Sequence, residues 1–314
     1  MQAMLLSAGY GTRLKPITDY IPKPLMPILE IPLIILTIKR LISSGFTKIV
    51  INTYHHADII ENIIKKPGIA GAEIIIIREK TLLGSAGGIA NAAKFLKSDI
   101  FFVINSDILF DIDFRRLKNF HITKKALSTL VLRKDADRKK FGIIETDAGG
   151  RIVRFLGKPA EKRSSSEYMF SGIHVLSPEI FNILNTEFSN ICRDIYPRLM
   201  ETGALMMGYE LDGYWTDIGT PVNLFRVNRD MLYSKNPEWI NNFLPPVTPG
   251  GYYIGKNSVV PVNTKIKENT IISNDCVIGD NCLLRDCLIF PGTKIPPGSV
   301  VTNRIKGNDF SVRI

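Results

Sequence analysis

The stretch AMLLSAGYGTRLKPITDYIPKPLMPI, residues 3–28, decides how the chain folds. Residues 3–6 form an apolar run of strand length without alternating polar positions, the pattern of a strand buried on both faces. A glycine-bearing loop follows from Ser7 to Leu14, and then a segment in which Pro22 and Pro24 bracket Lys23. The loop after the first strand of an open α/β sheet is where such folds seat ligands. Glycines there let backbone N–H groups approach anionic oxygens, and Arg13 and Lys23 add positive charge, Lys23 on a backbone stiffened by its prolines. The loop is neither GxGxxG running straight into a helix nor Gly-Lys-Ser/Thr, which argues against a dinucleotide fold and against a Walker A loop.

Outward from this stretch, strand-like and helix-like segments alternate to about residue 232. Apolar runs recur at 48–52, 73–78 and 100–105, with helical patterns between them at 33–43, 57–65 and 85–96. The alternation predicts an α/β fold, a Rossmann-like and mostly parallel sheet flanked by helices. Residues 142–144 and 152–155, separated by 147–150, predict an inserted hairpin, and 168–175 and 205–209 are further strands. Residues 233–250 contain Pro237, Pro245, Pro246, Pro249 and Gly250 in a polar stretch. They are expected to link a catalytic domain, 1–232, to a tail, 251–314.

In the tail the period changes to six. Ile254, Val260, Ile266, Ile272, Ile278 and Leu284 are evenly spaced, and after one five-residue step the frame resumes at Ile289, Ile295 and Val301. One buried aliphatic per six residues, with Gly, Asn, Asp and Pro between, predicts a small parallel β-helix. Its few coils and lack of a candidate catalytic histidine fit a capping or homo-oligomerising role better than acyltransferase chemistry. Cys276 and Cys282 stand one repeat apart, on adjacent walls, which disfavours a disulfide; all four cysteines are expected to be reduced, and none has zinc-ligand spacing.

The 314 residues are 45% apolar and 22% charged, with a net charge of +10. No apolar run approaches the ~20 residues of a membrane span, and no basic leader with a cleavage site is visible, so a cytoplasmic enzyme with no membrane partner is expected. The positive charge is not gathered into a basic block with interleaved aromatics, so nucleic acid is not the expected partner. His55 and His56 follow a strand end. Neighbours on a strand point to opposite faces, so their rings are expected to diverge rather than share a metal.

Two acids stand out. The buried run 101–105 leads into Ser106 and Asp107, and Asp217 lies in Gly213-Tyr-Trp-Thr-Asp-Ile-Gly-Thr220. Taken alone, Asp107 reads as a cap or turn residue. The combined string around Arg13 and Lys23 resembles the signature of the sugar-1-phosphate nucleotidylyltransferases, GxGTRLxPxTxxxPKPLxP, and both acids match that family, Asp217 within its W-x-D-I-G-T motif. The Asn105-Ser106-Asp107 variant and the six-residue tail resemble the GDP-mannose pyrophosphorylases with a C-terminal left-handed β-helix. The resemblance implies nucleoside triphosphate contacts at Leu6, Ala8, Gly9, Gly11 and Thr12, β- and γ-phosphate contact by Arg13, and α-phosphate contact by Lys23. It also implies Mg²⁺ held by Asp107 and Asp217, as two carboxylates plus substrate oxygens suit that ion.

Leu83-Gly84-Ser85-Ala86-Gly87-Gly88 resembles the family's L-G-T-A-G segment, so Gly84 and Ser85 are expected to lie against the nucleobase. Glu79, just upstream, is expected to accept from two guanine N–H groups, a pattern uracil cannot offer. Lys158 matches an E-K-P element that binds the sugar phosphate, with Gly157 in place of the glutamate. Gly142, Ser171 and Gly172 match other sugar-pocket positions. The implied reaction is in-line transfer from GTP to mannose 1-phosphate. The alternatives are uridylyl or thymidylyl transfer to another hexose or heptose 1-phosphate, and a regulatory paralogue that binds nucleotide sugars without making them.

Overall fold

A computed structural model describes residues 1–66, 68–134, 143–156, 168–233, 235–247 and 250–314. The chain divides into two compact units. The first comprises Met1–Gly9, Leu41–Ser106 and Ile112–Gly213; the second comprises Tyr10–Arg40, Asp107–Asp111 and Tyr214–Ile314.

The first unit is built on a nine-stranded mixed sheet. Its central strands Phe101–Asn105, Gln2–Leu6, Lys48–Thr53 and Glu73–Arg78 are adjacent and parallel, in that order. Tyr168–Leu176 runs antiparallel to Phe101–Asn105, and Ser128–Lys134 pairs with Tyr168–Leu176 on one side and Met206–Glu210 on the other. The parallel strands read as unbroken apolar runs because both faces are covered: Met4, Val50, Phe101 and Val103 share one buried core with Ile89 and Tyr196. Helix Ala57–Ile64 turns Ala57, Ile60 and Ile64 inward, the expected helical stripe. The expected helix 85–96 instead forms as Gly84–Asn91 and Ala93–Leu96. Asp113 starts helix Phe114–Lys124 by accepting from the Arg115 and Arg116 N–H groups. The inserted hairpin forms with its first strand later than the expected 142–144, Ile144–Thr146 against Ile152–Phe155, and Gly142 lies outside the described residues.

Two histidines in this unit are buried in neutral form. His121 sits between the Thr129 and Ser177 hydroxyls, at 2.8 and 3.0 Å, and His174 contacts the Tyr196 hydroxyl. Burial lowers their pKa values to about 4 and about 3, from 6.5. Between those values and 6.5 the unfolded chain binds more protons than the folded one, so stability falls as pH drops from about 6.5 towards 4. The urea midpoint is therefore expected to decrease across that window, and His121→Gln to flatten part of the slope.

The His55 and His56 rings do not diverge. Their centroids are 4.0 Å apart, because His56 has left the strand for a left-handed conformation, φ 53°, before helix Ala57–Ile64.

In the second unit, strands Ile108–Phe110 and Trp215–Asp217 pair antiparallel, and helix Pro221–Leu232 starts from a Thr220 cap. The six-residue frame forms short parallel strands. Tyr252–Ile254, Thr270–Ile272, Leu283–Ile289 and Val300–Lys306 stack in one sheet, Lys265–Ile266 joins Leu283–Ile289, and Val277–Ile278 pairs with Lys294–Ile295. Paired residues are eighteen apart early in the stack, as in Tyr252 with Thr270 and Lys265 with Leu283, and seventeen apart later, as in Thr270 with Cys287 and Leu283 with Val300. Three six-residue steps thus return the chain to the same wall. Ile272, Ile278, Leu284, Ile289, Ile295 and Val301 fill the interior with three free thiols, Cys276, Cys282 and Cys287. Ile254 departs from the expectation. It is 36% exposed, and its neighbour Tyr253 is buried, donating to Glu30 at 2.7 Å. The first coil has no coil before it to cover its residues.

The boundary expected near residue 232 does not follow the compact units. Leu14, Ile17, Met26, Leu224, Leu288 and Phe310 belong to one apolar core, so the stack and the segment bearing Arg13 and Lys23 share an interior. The stretch expected as a linker is packed as well. Glu238–Asn242 is a 3-10 turn with Ile240 buried, and Trp239 donates to the Phe110 carbonyl at 3.1 Å. Apolar Trp239, Ile240 and Phe243 outweigh the flanking prolines. Among the described residues no helix is long and apolar enough to cross a membrane.

Candidate active site

In the second unit four charged side chains from three separated segments form two pairs, Lys23 with Asp107 and Arg13 with Asp217. Gly11 takes a left-handed conformation, φ 66°, and begins the 3-10 turn Thr12–Leu14 that carries Arg13. A Cβ on Gly11 would stand 3.0 Å from Thr18 Cγ2 and 3.1 Å from Lys23 Cβ, so both backbone angle and space demand glycine. Pro22 precedes a second 3-10 turn, Lys23–Leu25, closed by the Leu25 N–H to Pro22 carbonyl bond at 2.8 Å. From that fixed backbone the Lys23 ammonium donates to Asp107 Oδ2. Asp107 is tied by its carbonyl, which accepts from the Ile218 N–H at 2.9 Å, extending the strand pair that sets Asp217 opposite Ile108.

Asp217 is 6% exposed, and both its oxygens are oriented. Asn223 Nδ2 donates to Oδ1 at 2.6 Å and the Gly219 N–H to Oδ2 at 3.1 Å. A Cβ on Gly219 would lie 2.5 Å from Asp217 Oδ2 and 2.9 Å from an Arg13 terminal nitrogen, which places the guanidinium beside the carboxylate. Lys23 with Asp107, and Arg13 with Asp217, are thus two pairs within one unit. Gly219 and Asn223 were not among the expected site residues. Asn223 had a signal, since it stands at the third position of the helix that Thr220 caps, where side chains reach back to the cap.

The first unit holds the other expected residues. The Leu6 carbonyl accepts from Ser106 Oγ at 2.7 Å, which joins the carboxyl ends of two central strands. Ala8 is buried, and the space around Gly9 is open, with nothing within 4 Å of a Cβ built there. Glu79 differs from expectation. It is 4% exposed, Oε1 accepts from Asn52 Nδ2 at 2.7 Å, and Oε2 accepts from the Leu83 N–H at 3.0 Å. Each of its oxygens thus has one acceptor position engaged inside the chain. Gly84 and Gly87 also prove small for another reason: a Cβ on either would meet backbone, Ser189 O or Glu187 O, at 2.4 Å. The Ser85 hydroxyl accepts from the Ile191 N–H at 2.9 Å. Gly87→Ala is therefore expected to destabilise the first unit by about 1–3 kcal/mol through overpacking, read as a lower urea midpoint with an unchanged slope.

Ser171 is buried, and Gly172 lies at a register shift in its strand with φ 86°, where a Cβ would stand 2.8 Å from Asn105 Nδ2. Gly142 and Lys158 lie outside the described residues.

The nucleotidyl transferase family matches this chain over residues 2–234. The mannose-1-phosphate guanylyltransferase catalytic subunit beta of Xenopus tropicalis is 32% identical over 248 residues, covering 77% of this chain and 68% of its own length. The UTP–glucose-1-phosphate uridylyltransferase of Synechocystis is 30% identical over 246 residues, covering 74% of this chain and 63% of its own. Among solved structures, HddC from Yersinia pseudotuberculosis complexed with GMP-PN superposes with a TM-score of 0.63 at 23% identity, over 73% of this chain and 99% of its own, a likeness of fold.

Proposed function

This chain belongs to the nucleotidyl transferase family, and we propose that it transfers a guanylyl group from GTP to mannose 1-phosphate, releasing pyrophosphate. The observation that carries the proposal is that one unit pairs Lys23 with Asp107 and sets Arg13 beside Asp217. The sugar phosphate oxygen attacks the α-phosphorus in line with the leaving pyrophosphate, so no protein nucleophile is needed and catalysis is positioning and electrostatics. Lys23 stabilises charge at the α-phosphate and Arg13 at the leaving phosphates. In this reading the loop Ser7–Thr12 presents backbone N–H groups to the triphosphate, and Leu6, Gly84 and Ser85 take its nucleoside. Ser171 and Gly172, with Gly142 and Lys158, serve the sugar phosphate.

Among the described residues no three His, Cys, Asp or Glu side chains are grouped to hold a metal. Asp107 and Asp217 offer hard carboxylate oxygens, Asp217 opposite Ile108 and Asp107 one residue before Ile108, and two carboxylates with phosphates and water are a donor set Mg²⁺ takes. Bound there, Mg²⁺ supplies positive charge against the repulsion between two anionic substrates.

Pyrophosphate release from GTP, UTP, dTTP and ATP, each with a panel of sugar 1-phosphates, tests the assignment. GTP with mannose 1-phosphate is expected to be fastest; the Synechocystis relative makes UTP the sharpest rival, and a strong preference for it sinks the guanylyl assignment. The stacked strands we read as a hexapeptide-repeat left-handed β-helix that joins copies of the chain. Exposed Val259 and Val277, side by side on one wall, support this, and sedimentation of the wild type as a monomer would refute it.

A further inference from the structure

A buried polar relay crosses the first unit beneath the loop that follows its first strand. The Ser7 N–H donates to Asn52 Oδ1 at 3.0 Å, Asn52 Nδ2 donates to Glu79 Oε1 at 2.7 Å, and the Leu83 N–H donates to Glu79 Oε2 at 3.0 Å. Asn52 and Glu79 are 2% and 4% exposed. Gly88 leaves room for them: a Cβ there would stand 2.9 Å from Asn52 Nδ2 and 3.0 Å from Glu79 Oε1. The relay therefore joins two backbone segments, the start of the loop at Ser7 and the turn at Leu83 that opens Gly84–Asn91.

Burying a carboxylate is costly, and an apolar pair of the same volume serves stability as well or better. What an apolar pair cannot do is fix two backbone N–H groups from distant segments at hydrogen-bonding range of one side-chain chain. We infer that Asn52 and Glu79 are positioning residues for the nucleoside triphosphate, setting the spacing between the phosphate loop and the 83–88 segment. The inference rests on the proposed nucleotidyl transfer.

The relay has a polarity that makes it testable. Its three donors are the Ser7 N–H, the Asn52 amide and the Leu83 N–H. Glu79→Gln removes one acceptor, and every flip of the two amides only moves the clash: between the amide groups, to Ser7, or to Leu83. Asn52→Asp places two carboxylates face to face. Together the two changes restore every bond. The Ser7 N–H donates to one Asp oxygen, the Gln amide to the other, and the Leu83 N–H to the Gln oxygen. Both substitutions conserve shape.

The test measures KM and kcat with the nucleoside triphosphate that the wild type uses best, alongside thermal unfolding. Each single variant is expected to raise the triphosphate KM by about tenfold, the effect of one mispaired buried polar contact, with the KM for the sugar phosphate unchanged. The double variant is expected to return within about twofold of the wild type, a non-additivity diagnostic of direct contact. Gly88→Ala presses on the relay without changing its polar groups and is expected to raise the same KM, which keeps the inference testable if a single variant fails to fold. Single variants or Gly88→Ala that lower the unfolding midpoint while leaving the triphosphate KM unchanged overturn it, as does a double variant no better than the singles. A wild type that turns over no nucleoside triphosphate overturns the functional proposal and this inference together.

Discussion

Asp107→Ala is expected to lower the rate of pyrophosphate release by about 10²–10³-fold, the usual cost of removing one preorganised electrostatic partner from a site of this kind. The magnitude follows from the charges involved. Two unit charges ~4 Å apart interact by about 4 kcal/mol at an effective dielectric of 20, and the reacting substrates are both anions. Asp107 is the carboxylate that Lys23 meets, and its backbone carbonyl accepts from the N–H of Ile218, next to Asp217. Its loss leaves the ammonium unanchored and halves the hard oxygen donors available to a divalent cation. Asp107→Asn keeps the shape without the charge and is expected to be nearly as slow. Circular dichroism should show the fold retained in both. A wild-type rate in Asp107→Ala would remove the carboxylate from the mechanism.

The second large effect is structural in origin and lies far along the chain. Phe290 is 1% exposed and meets Phe310 edge-to-face with centroids 5.2 Å apart. Both belong to the core that holds Leu14, next to Arg13, and Met26, three residues beyond Lys23. Phe290→Ala is expected to cost about 3–5 kcal/mol, which for a unit of this size lowers the thermal midpoint by roughly 6–20 °C. Activity should fall with that transition, because the turns bearing Arg13 and Lys23 lose the interior they pack against. Phe290→Leu, which keeps most of the volume, should show a smaller shift. An unchanged midpoint would mean that the stack does not support the phosphate-binding turns.

What the residues alone revealed follows the strength of the local signal. The parallel strands were legible because both their faces are covered and Ile, Val and Leu run on without interruption. The six-residue frame was legible because each coil repeats one spatial problem. Arg13, Lys23, Asp107 and Asp217 stood out through motifs with fixed spacing, and the fold pairs Lys23 with Asp107 and sets Arg13 beside Asp217. Features set by tertiary contact were harder to see. Glu79 resembles a free acid at a strand end, and only the fold shows the Asn52 amide and the Leu83 N–H that engage it. Gly84 and Gly87 look like room for a flat ring, but their neighbours are the carbonyls of Ser189 and Glu187, about a hundred residues away. The prolines at 237–249 promised a linker, while Ile240 and Trp239 found an apolar interior. The histidine pair was misjudged because one left-handed residue, His56, undoes the alternation of a strand.

The discontinuity of the second unit has a consequence for how the chain is made. Leu14, Ile17 and Leu29 are translated well before their partners Leu288, Ile305 and Phe310. At about 5–20 residues per second the wait is roughly 15–60 s, during which Arg13 and Lys23 belong to a nascent segment without its final interior. The strands of the first unit are complete by Glu210, so that half can settle while translation continues. A nascent chain stalled before Phe290 would thus carry a folded sheet and an unfinished phosphate-binding half, and the enzyme acquires activity only once strand Val300–Lys306 and Phe310 have emerged.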